Sequence, residues 1–93
     1  MKFEISSQGW TILTKENCSY CKRVKTLVPE ATFIESDGFL KENRDLFLKK
    51  MDSYTGKEHR TFPMVFLDKR FIGGYSETKK YIDEMDAFDM VDF

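Results

Sequence analysis

Both cysteines of this chain lie in one short segment, K-E-N-C-S-Y-C-K-R (15–23), with two residues between them. Thiols at this spacing suit three kinds of chemistry: half of a zinc site, a structural disulfide, or a pair that is reversibly oxidised. The segment also contains three basic residues, Lys15, Lys22 and Arg23. Because positive charge stabilises a thiolate, the pair is the first candidate for a reactive site.

Two of these three alternatives explain the pair poorly. A zinc site needs four ligands, and beyond the two cysteines the chain offers only His59 and carboxylates. A disulfide that closes so small a loop restricts the unfolded chain little, so a purely structural staple would add little stability. A C-x-x-C pair beside a βαβ pattern is most often redox-active. We therefore favour a redox pair without a bound metal, and we interpret His59 as a solvated loop residue.

The pattern of apolar residues predicts the elements that position this pair. Residues 10–14 (W-T-I-L-T) and 32–35 (T-F-I-E) are rich in aromatic and β-branched types, which are typical of strands. Between them the spacing predicts a helix that begins at the cysteine pair and ends before Pro29. The predicted apolar face of this helix consists of Tyr20, Val24, Leu27 and Val28.

The second half of the chain predicts another helix and a hairpin. Asp37-Gly38 is predicted to be a turn, and an amphipathic helix is predicted over 39–54 with Gly56 just past its end. P-M-V-F-L (63–67), a D-K-R turn and F-I-G (71–73) predict two antiparallel strands. This hairpin would follow the βαβ unit of the first half.

A last helix is predicted to begin at Ser76, which would cap it. Its inner face would consist of Tyr81, Ile82, Met85 and Phe88. The resulting order, β-α-β-α-β-β-α, combines a parallel βαβ crossover with an antiparallel hairpin. We therefore predict an α/β fold in which a four-stranded mixed sheet carries three helices on its two faces.

The position of the cysteines at a helix start has a chemical consequence. The first turn of a helix has unpaired N–H groups and the positive end of the helix dipole, and both stabilise a thiolate. We therefore predict that Cys18 is the nucleophile and has a lowered pKa. Cys21, one turn later and more buried, is predicted to be the resolving thiol that attacks a mixed disulfide.

Composition limits the classes of function. The 93 residues suffice for one domain, which we predict to span 1–93 with a core of about 9–85 and an acidic tail over 86–93. The formal net charge of −1 gives no basic field for nucleic acid. No stretch reaches transmembrane length, and the first residues lack the apolar run of a signal peptide. We therefore expect a cytoplasmic protein without nucleic-acid or membrane partners, in a reducing compartment that disfavours structural disulfides.

Three segments taken together, C-S-Y-C (18–21), T-F-P (61–63) and I-G-G-Y-S-E (72–77), resemble the signature of the glutaredoxin family. The resemblance runs from about Gly9 to Met85. It implies a thioredoxin-like fold and the glutathione-dependent reduction of protein disulfides and glutathione mixed disulfides, with glutathione as co-substrate. The expected partners are glutathione and proteins that carry a disulfide or a bound glutathione. The resemblance also allows ribonucleotide reductase as a partner, since members of the family donate electrons to it. We expect the chain to act as a monomer.

The resemblance implies a glutathione site on one side of the catalytic pair, Cys18 and Cys21. Pro63 matches the family's cis-proline, and the backbone of the residue in the position of Phe62 hydrogen-bonds the cysteinyl part of glutathione in the family. The lysine that meets the glycyl carboxylate corresponds to Lys15. An aromatic residue that lines the groove beside the thiol corresponds to Tyr20.

The other end of the implied glutathione site lies in the third segment. Gly74, Ser76 and Glu77 match the residues that hold the γ-glutamyl carboxylate in the family. The physical chemistry agrees, because a Gly-Gly pair that leads into a helix N-terminus is a ready site for an anion. The resemblance leaves open which basic residue of 49–60 makes a second carboxylate contact.

The chain departs from the family pattern at two positions of this site. Ser19 replaces the proline of the commonest motif, C-P-Y-C, and some family members with C-S-Y-C bind a [2Fe–2S] cluster between two protomers with glutathione completing the coordination. A dimeric, glutathione-ligated cluster carrier is therefore the alternative function. Phe62 replaces the usual valine and is expected to narrow the groove.

Overall fold

The computed structural model describes residues 2–89 of the chain, and the side chains of 2–86. In chain order the elements are β1 (Trp10–Thr14), α1 (Ser19–Leu27), β2 (Thr32–Glu35), α2 (Asp37–Thr55), β3 (Met64–Leu67), β4 (Arg70–Gly73) and α3 (Tyr75–Asp89). The predicted order β-α-β-α-β-β-α is confirmed, and the bounds of β1 and β2 are those predicted. Within residues 2–89, none of the helices combines the length and apolar character needed to cross a bilayer.

The four strands form one mixed sheet in the order β2-β1-β3-β4. Strand β1 pairs in parallel with β2, so that Ile12 lies opposite Phe33. It pairs antiparallel with β3, so that Ile12 also lies opposite Val65. The hairpin of β3 and β4 completes the sheet. The prediction of a four-stranded mixed sheet in a thioredoxin-like α/β fold is therefore confirmed.

The sheet has an apolar cluster on each face. Because side chains alternate along a strand, Ile12 and Leu13 of β1 point to opposite faces. One cluster contains the buried side chains of α2, namely Phe47 and Met51, together with Leu13, Met64 and Phe66. The other cluster joins α1 to the sheet through Val24, Val28, Ile12 and Val65, with Tyr75 and Ile82 of α3 packed against it. Helices on both faces thus hold β1 at the centre of the molecule.

The buried face of α1 differs from the prediction at one residue. Tyr20 is 51% exposed, whereas Cys21 is only 2% exposed. Cys21, Val24 and Val28 follow helical spacing and face the sheet, and Tyr20 lies about 100° further round the helix. Tyr20 is therefore a surface residue beside the cysteine pair and does not belong to the core.

Helix α2 begins two residues earlier than predicted. Asp37 and Gly38 form its first turn, so the prediction of a turn at these residues is wrong. The helix is interrupted at Asn43, whose backbone is non-helical (φ −156°, ψ 86°). The Asn43 side-chain oxygen accepts the N–H of Leu46 at 3.1 Å, as a helix cap does, and the helix restarts there. Gly56 ends it in the left-handed conformation, as predicted.

Helix α3 begins one residue before Ser76, so the prediction that Ser76 caps this helix is wrong. Gly74 occupies the capping position, and its carbonyl accepts the N–H of Thr78 at 3.1 Å. Met85 is predicted to face inward but is 47% exposed, so that prediction is wrong. The helix continues through Asp89, so residues 86–89 of the predicted tail are helical. The side chain of Phe88 and residues 90–93 lie outside the described part of the chain.

Candidate active site

The loop between β1 and α1 carries Cys18 and is held from a neighbouring helix. The N–H of Glu16 lies 3.2 Å from both carboxylate oxygens of Asp37, at the start of α2. Asn17 then adopts a left-handed conformation (φ 55°), which asparagine tolerates better than most residues. This turn directs the chain into α1 with Cys18 as the residue that caps it.

Cys18 and Cys21 are joined by a disulfide. The Sγ atom of Cys18 accepts the backbone N–H of Cys21 at 3.2 Å, within the first turn of α1. Cys21 is buried, whereas Cys18 is only partly buried. Sulfur at a helix N-terminus is the arrangement that favours a thiolate, and the more exposed sulfur is the one that an external disulfide reaches first.

The segment before β3 lies opposite this sulfur. The peptide bond between Phe62 and Pro63 is cis, which confirms the prediction for Pro63. Because β3 pairs with β1, its first residues lie next to the loop that carries the cysteines. The Sγ atom of Cys18 lies 3.6 Å from the carbonyl oxygen of Phe62. Lys15 lies on the same side, with its Nζ atom 5.8 Å from the centre of the Phe62 ring.

The turn from β4 into α3 depends on two glycines. Gly73 has φ 135°, and a Cβ atom there would lie 2.8 Å from side-chain atoms of Glu77. The N–H of Gly74 donates to Oε1 of Glu77 at 2.7 Å, and its carbonyl accepts the hydroxyl of Thr78 at 2.7 Å. Glu77 therefore caps its own helix, and its carboxylate lies at the helix end where we predicted the γ-glutamyl carboxylate to bind.

Two tyrosines form an aromatic wall beside Cys18. The ring of Tyr20 stacks on that of Tyr75, with centroids 5.7 Å apart and an interplanar angle of 29°. The guanidinium carbon of Arg23 lies 5.3 Å from the centre of the Tyr20 ring, on the same helix, a distance typical of a cation–π contact. These contacts explain how a residue as exposed as Tyr20 keeps a defined orientation.

These elements enclose a groove of about 240 Å³ beside the disulfide. It is lined by Tyr20, His59, Thr61, Phe62, Pro63, Gly74, Tyr75, Ser76 and Glu77. The groove thus brings together every residue predicted for the glutathione site except Lys15, which lies beside Phe62 at its edge.

Three residues of the groove were not predicted to be site residues. Thr61 and Tyr75 lie within the segments T-F-P and G-G-Y-S-E, so their neighbours in sequence already pointed to them. His59 had no such signal; it lies in a loop, as interpreted, but its ring is half-buried and not fully solvated. Its ring packs edge-on against Phe71 with centroids 5.0 Å apart, and its Nε2 atom lies 3.2 Å from the Thr61 hydroxyl oxygen.

The charged residues of the loop before β3 have distinct roles. Arg60 donates two hydrogen bonds to the carboxylate of Asp52, at 2.6 and 3.0 Å. These bonds lower the pKa of Asp52 and raise that of Arg60. Lys57 lies with its Nζ atom 5.7 Å from the centre of the Phe71 ring. Across residues 2–89, no group of three or more His, Cys, Asp or Glu side chains is placed to hold a metal ion.

No protein-family model and no curated protein sequence matches the chain, but solved structures do. A buckwheat glutaredoxin in complex with glutathione is 30% identical over 85% of this chain and 73% of its own, with a TM-score of 0.64. Glutaredoxin 1 from Francisella tularensis, complexed with cacodylate, is 26% identical over 83% of this chain and 94% of its own (TM-score 0.63). Reduced glutaredoxin C1 from Populus tremula x tremuloides is 26% identical over 89% and 71% (TM-score 0.64).

A thioredoxin-like sheet with a disulfide-bonded C-x-x-C at the start of its first helix defines the class of thiol-disulfide oxidoreductases. Sequence identity narrows this class to one family, because the buckwheat glutaredoxin is 30% identical to this chain and is matched over most of both chains. The chain belongs to the glutaredoxin family.

Proposed function

We propose that the chain is a glutathione-dependent thiol-disulfide oxidoreductase that reduces protein disulfides and glutathione mixed disulfides through Cys18 and Cys21. The observation that carries this proposal is the position of the Cys18 sulfur. It lies in the first turn of α1 and 3.6 Å from the backbone carbonyl of Phe62, which lines the groove. One reactive atom thus lies beside an open groove whose lining combines aromatic rings with polar groups, along which a small peptide would lie.

Reduction of a glutathione mixed disulfide needs one cysteine of this chain. The Cys18 thiolate attacks the glutathione sulfur, a new disulfide forms between Cys18 and glutathione, and the substrate protein leaves as a thiolate. The thiolate of a second glutathione then attacks that new disulfide. Glutathione disulfide leaves, Cys18 is again a thiolate, and a separate reductase recycles the glutathione disulfide.

Reduction of a protein disulfide needs both cysteines. Cys18 attacks one substrate sulfur, and Cys21 then attacks the mixed disulfide and releases the reduced substrate. The product of this step is the bond between Cys18 and Cys21 that is present here. Two glutathione molecules reduce it again by successive exchange, and glutathione disulfide is formed.

The groove is suited to a peptide that carries a carboxylate at each end. Lys15 lies at one edge, beside Phe62, where its ammonium would meet the glycyl carboxylate. At the other end, the first N–H groups of α3 have no partner within the helix and can bind the γ-glutamyl part. The buckwheat protein, which is solved in complex with glutathione, offers the precedent for such a ligand in this fold.

Steady-state kinetics with two reducing systems tests the proposal. The chain is assayed on a glutathionylated peptide and on a protein disulfide, with either glutathione plus glutathione reductase or thioredoxin reductase, each with NADPH. We expect turnover with the glutathione system and little with thioredoxin reductase. Equal or greater turnover with thioredoxin reductase would overturn glutathione dependence and leave only the class of thiol-disulfide oxidoreductase.

The second candidate function, a carrier of a [2Fe–2S] cluster between two chains, is favoured by one observation, the serine at position 19. Each chain would contribute the sulfur of Cys18, and glutathione would supply the other ligands. The absorbance spectrum and the mass of protein purified without oxygen separate the two functions. A colourless monomer supports the enzyme, and a brown dimer that requires glutathione supports the carrier.

A further inference from the structure

His59 lies on a loop that is fixed at both of its ends. Gly56 ends α2 in the left-handed conformation, and the N–H of His59 donates to the carbonyl of Lys57 at 3.1 Å, closing a tight turn. On the other side of His59, Arg60 makes its two hydrogen bonds to Asp52 of α2. The loop therefore presents the imidazole in a defined position.

The contacts of the imidazole place it in the wall of the groove. Phe71 of β4 lies behind it, with ring centroids 5.0 Å apart and an interplanar angle of 71°. The Thr61 hydroxyl lies 3.2 Å from Nε2, and Thr61 itself lines the groove. Glu77 also lines the groove. The ring is thus half-buried, with one side on the protein and the other toward the space where a ligand would lie.

His59 is also the lining residue that can become a cation near neutral pH. The other charged side chain among the residues that line the groove is the carboxylate of Glu77. The pKa of His59 is lowered, first by burial and then by the positive charge of Lys57, while Glu77 and a hydrogen bond to the Thr61 backbone act in the opposite direction. Tyr20 and Tyr75 also line the groove, and their rings stack on each other.

We propose that His59 binds a carboxylate of glutathione and takes up a proton as it does so, so that the groove holds glutathione more tightly as the pH falls. This inference rests on the proposed function. A carboxylate beside the imidazole favours its charged form, so the pKa of His59 rises in the complex. By linkage, the affinity is highest below the pKa of the free protein and lowest above the pKa of the complex.

The test follows the imidazole itself by nuclear magnetic resonance. His59 is the single histidine of the chain, so its ring protons give one unambiguous signal. The disulfide-bonded protein is used because its cysteines do not titrate, and the probe is S-methylglutathione, which has no thiol to exchange. The pH titration of the ring signal is recorded with and without this probe, and the dissociation constant is measured below and above the midpoint.

We expect the midpoint to rise when the probe is present, and the affinity to be at least about threefold higher below the midpoint than above it. An unchanged midpoint, while the amide signals of Thr61 and Tyr75 respond to the probe, would overturn the role of His59 and leave the glutathione groove standing. If no groove signal responds at any pH, both this inference and the proposed glutathione site are overturned.

Two matched variants separate His59 from its surroundings. His59→Gln keeps a polar side chain that cannot be protonated, and we expect its affinity to be independent of pH over the same range. Lys57→Gln removes the neighbouring positive charge that lowers the pKa of His59. The titration midpoint of His59 and the pH range over which the affinity changes should therefore both shift to higher pH. The proposal would be overturned if the affinity of His59→Gln varied with pH as it does in the wild type. It would also be overturned if Lys57→Gln shifted the midpoint of His59 but left the pH dependence of the affinity unchanged.

Discussion

The N-termini of α1 and α3 both lie beside the groove, and each is capped by a different electron-rich group. In α1 no acidic residue occupies the first turn, and the sulfur of Cys18 accepts an N–H at 3.2 Å. In α3 the carboxylate of Glu77 accepts the N–H of Gly74 at 2.7 Å. Both ends offer unpaired N–H groups and a positive dipole, which any nearby anion stabilises.

The difference lies in whether the capping group can react. The carboxylate of Glu77 holds the turn at Gly73 and Gly74 and cannot attack a disulfide, so it contributes to folding. The sulfur of Cys18 becomes an anion only when it is reduced, and it can then attack a disulfide. Substitutions at α1 should therefore change activity most, and substitutions at α3 should change stability most.

Substitution of the two cysteines should have the largest effect. We expect Cys18→Ser to abolish reduction of both substrate types, because it removes the nucleophile. Cys21→Ser should keep much of the activity on glutathionylated peptide and lose reduction of protein disulfides, since only the second reaction needs an internal resolving thiol. Initial rates on the two substrates check this, and equal losses in the two variants would contradict the assigned roles.

The turn into α3 is tested by Gly73→Ala. Its φ of 135° and the close approach of Glu77 leave no room for a methyl group, so the free energy of unfolding should fall by roughly 1–3 kcal/mol. The matched control is Gly38→Ala, where a Cβ would meet nothing within 4 Å, and its stability should be equal to or above wild type. Urea denaturation measures the free energy of unfolding of both variants. An equal loss in both would show that this turn needs no glycine.

Removal of the α3 cap should have a smaller effect on stability. Glu77→Ala leaves the N–H of Gly74 without its side-chain partner, and we expect a loss of about 1 kcal/mol in the free energy of unfolding. Glu84→Ala on the same helix controls for the change of a glutamate to alanine. If the two variants lose the same stability, the contact between Glu77 and Gly74 does not hold the helix end.

Charge beside Cys18 should have the smallest effect. Lys15 is exposed, so its contact with a glutathione carboxylate is screened, and Lys15→Gln should raise the Michaelis constant for glutathione by about fivefold with a smaller change in turnover number. The control is Lys22→Gln, another exposed lysine of the same segment. The kinetics are measured at a pH above the pKa of the Cys18 thiol, so that any effect of Lys15 on that pKa does not contribute. If neither added salt nor Lys15→Gln changes the Michaelis constant for glutathione, the contact between Lys15 and a glutathione carboxylate is refuted.

The fold could be predicted largely from local signals in the sequence. The runs at 10–14 and 32–35 are short, apolar and rich in β-branched and aromatic residues, so their bounds were predicted correctly. The helix starts were harder to place. A serine such as Ser76 has the same cap preference in any helix, and its actual position in α3 follows from the glycine turn before it and the carboxylate of Glu77.

The site could be predicted only where its residues lie in contiguous motifs. C-S-Y-C, T-F-P and G-G-Y-S-E each mark a wall of the groove, and the fold brings them together. His59 lies in no such motif. It reaches the groove because Arg60 binds Asp52 and because Phe71 lies behind its ring. These contacts join residues from α2, the loop and β4, and no local pattern encodes them.

The comparison of the two helix ends depends most on the charge state of Cys18. In reduced Cys21→Ser protein, Cys18 is the single thiol, and its ultraviolet thiolate absorbance can be followed against pH. We predict a midpoint well below the value of about 8.5 for a free thiol, because the N-terminus of α1 favours the thiolate. A midpoint at or above that value would contradict the claim that this helix end makes Cys18 the nucleophile.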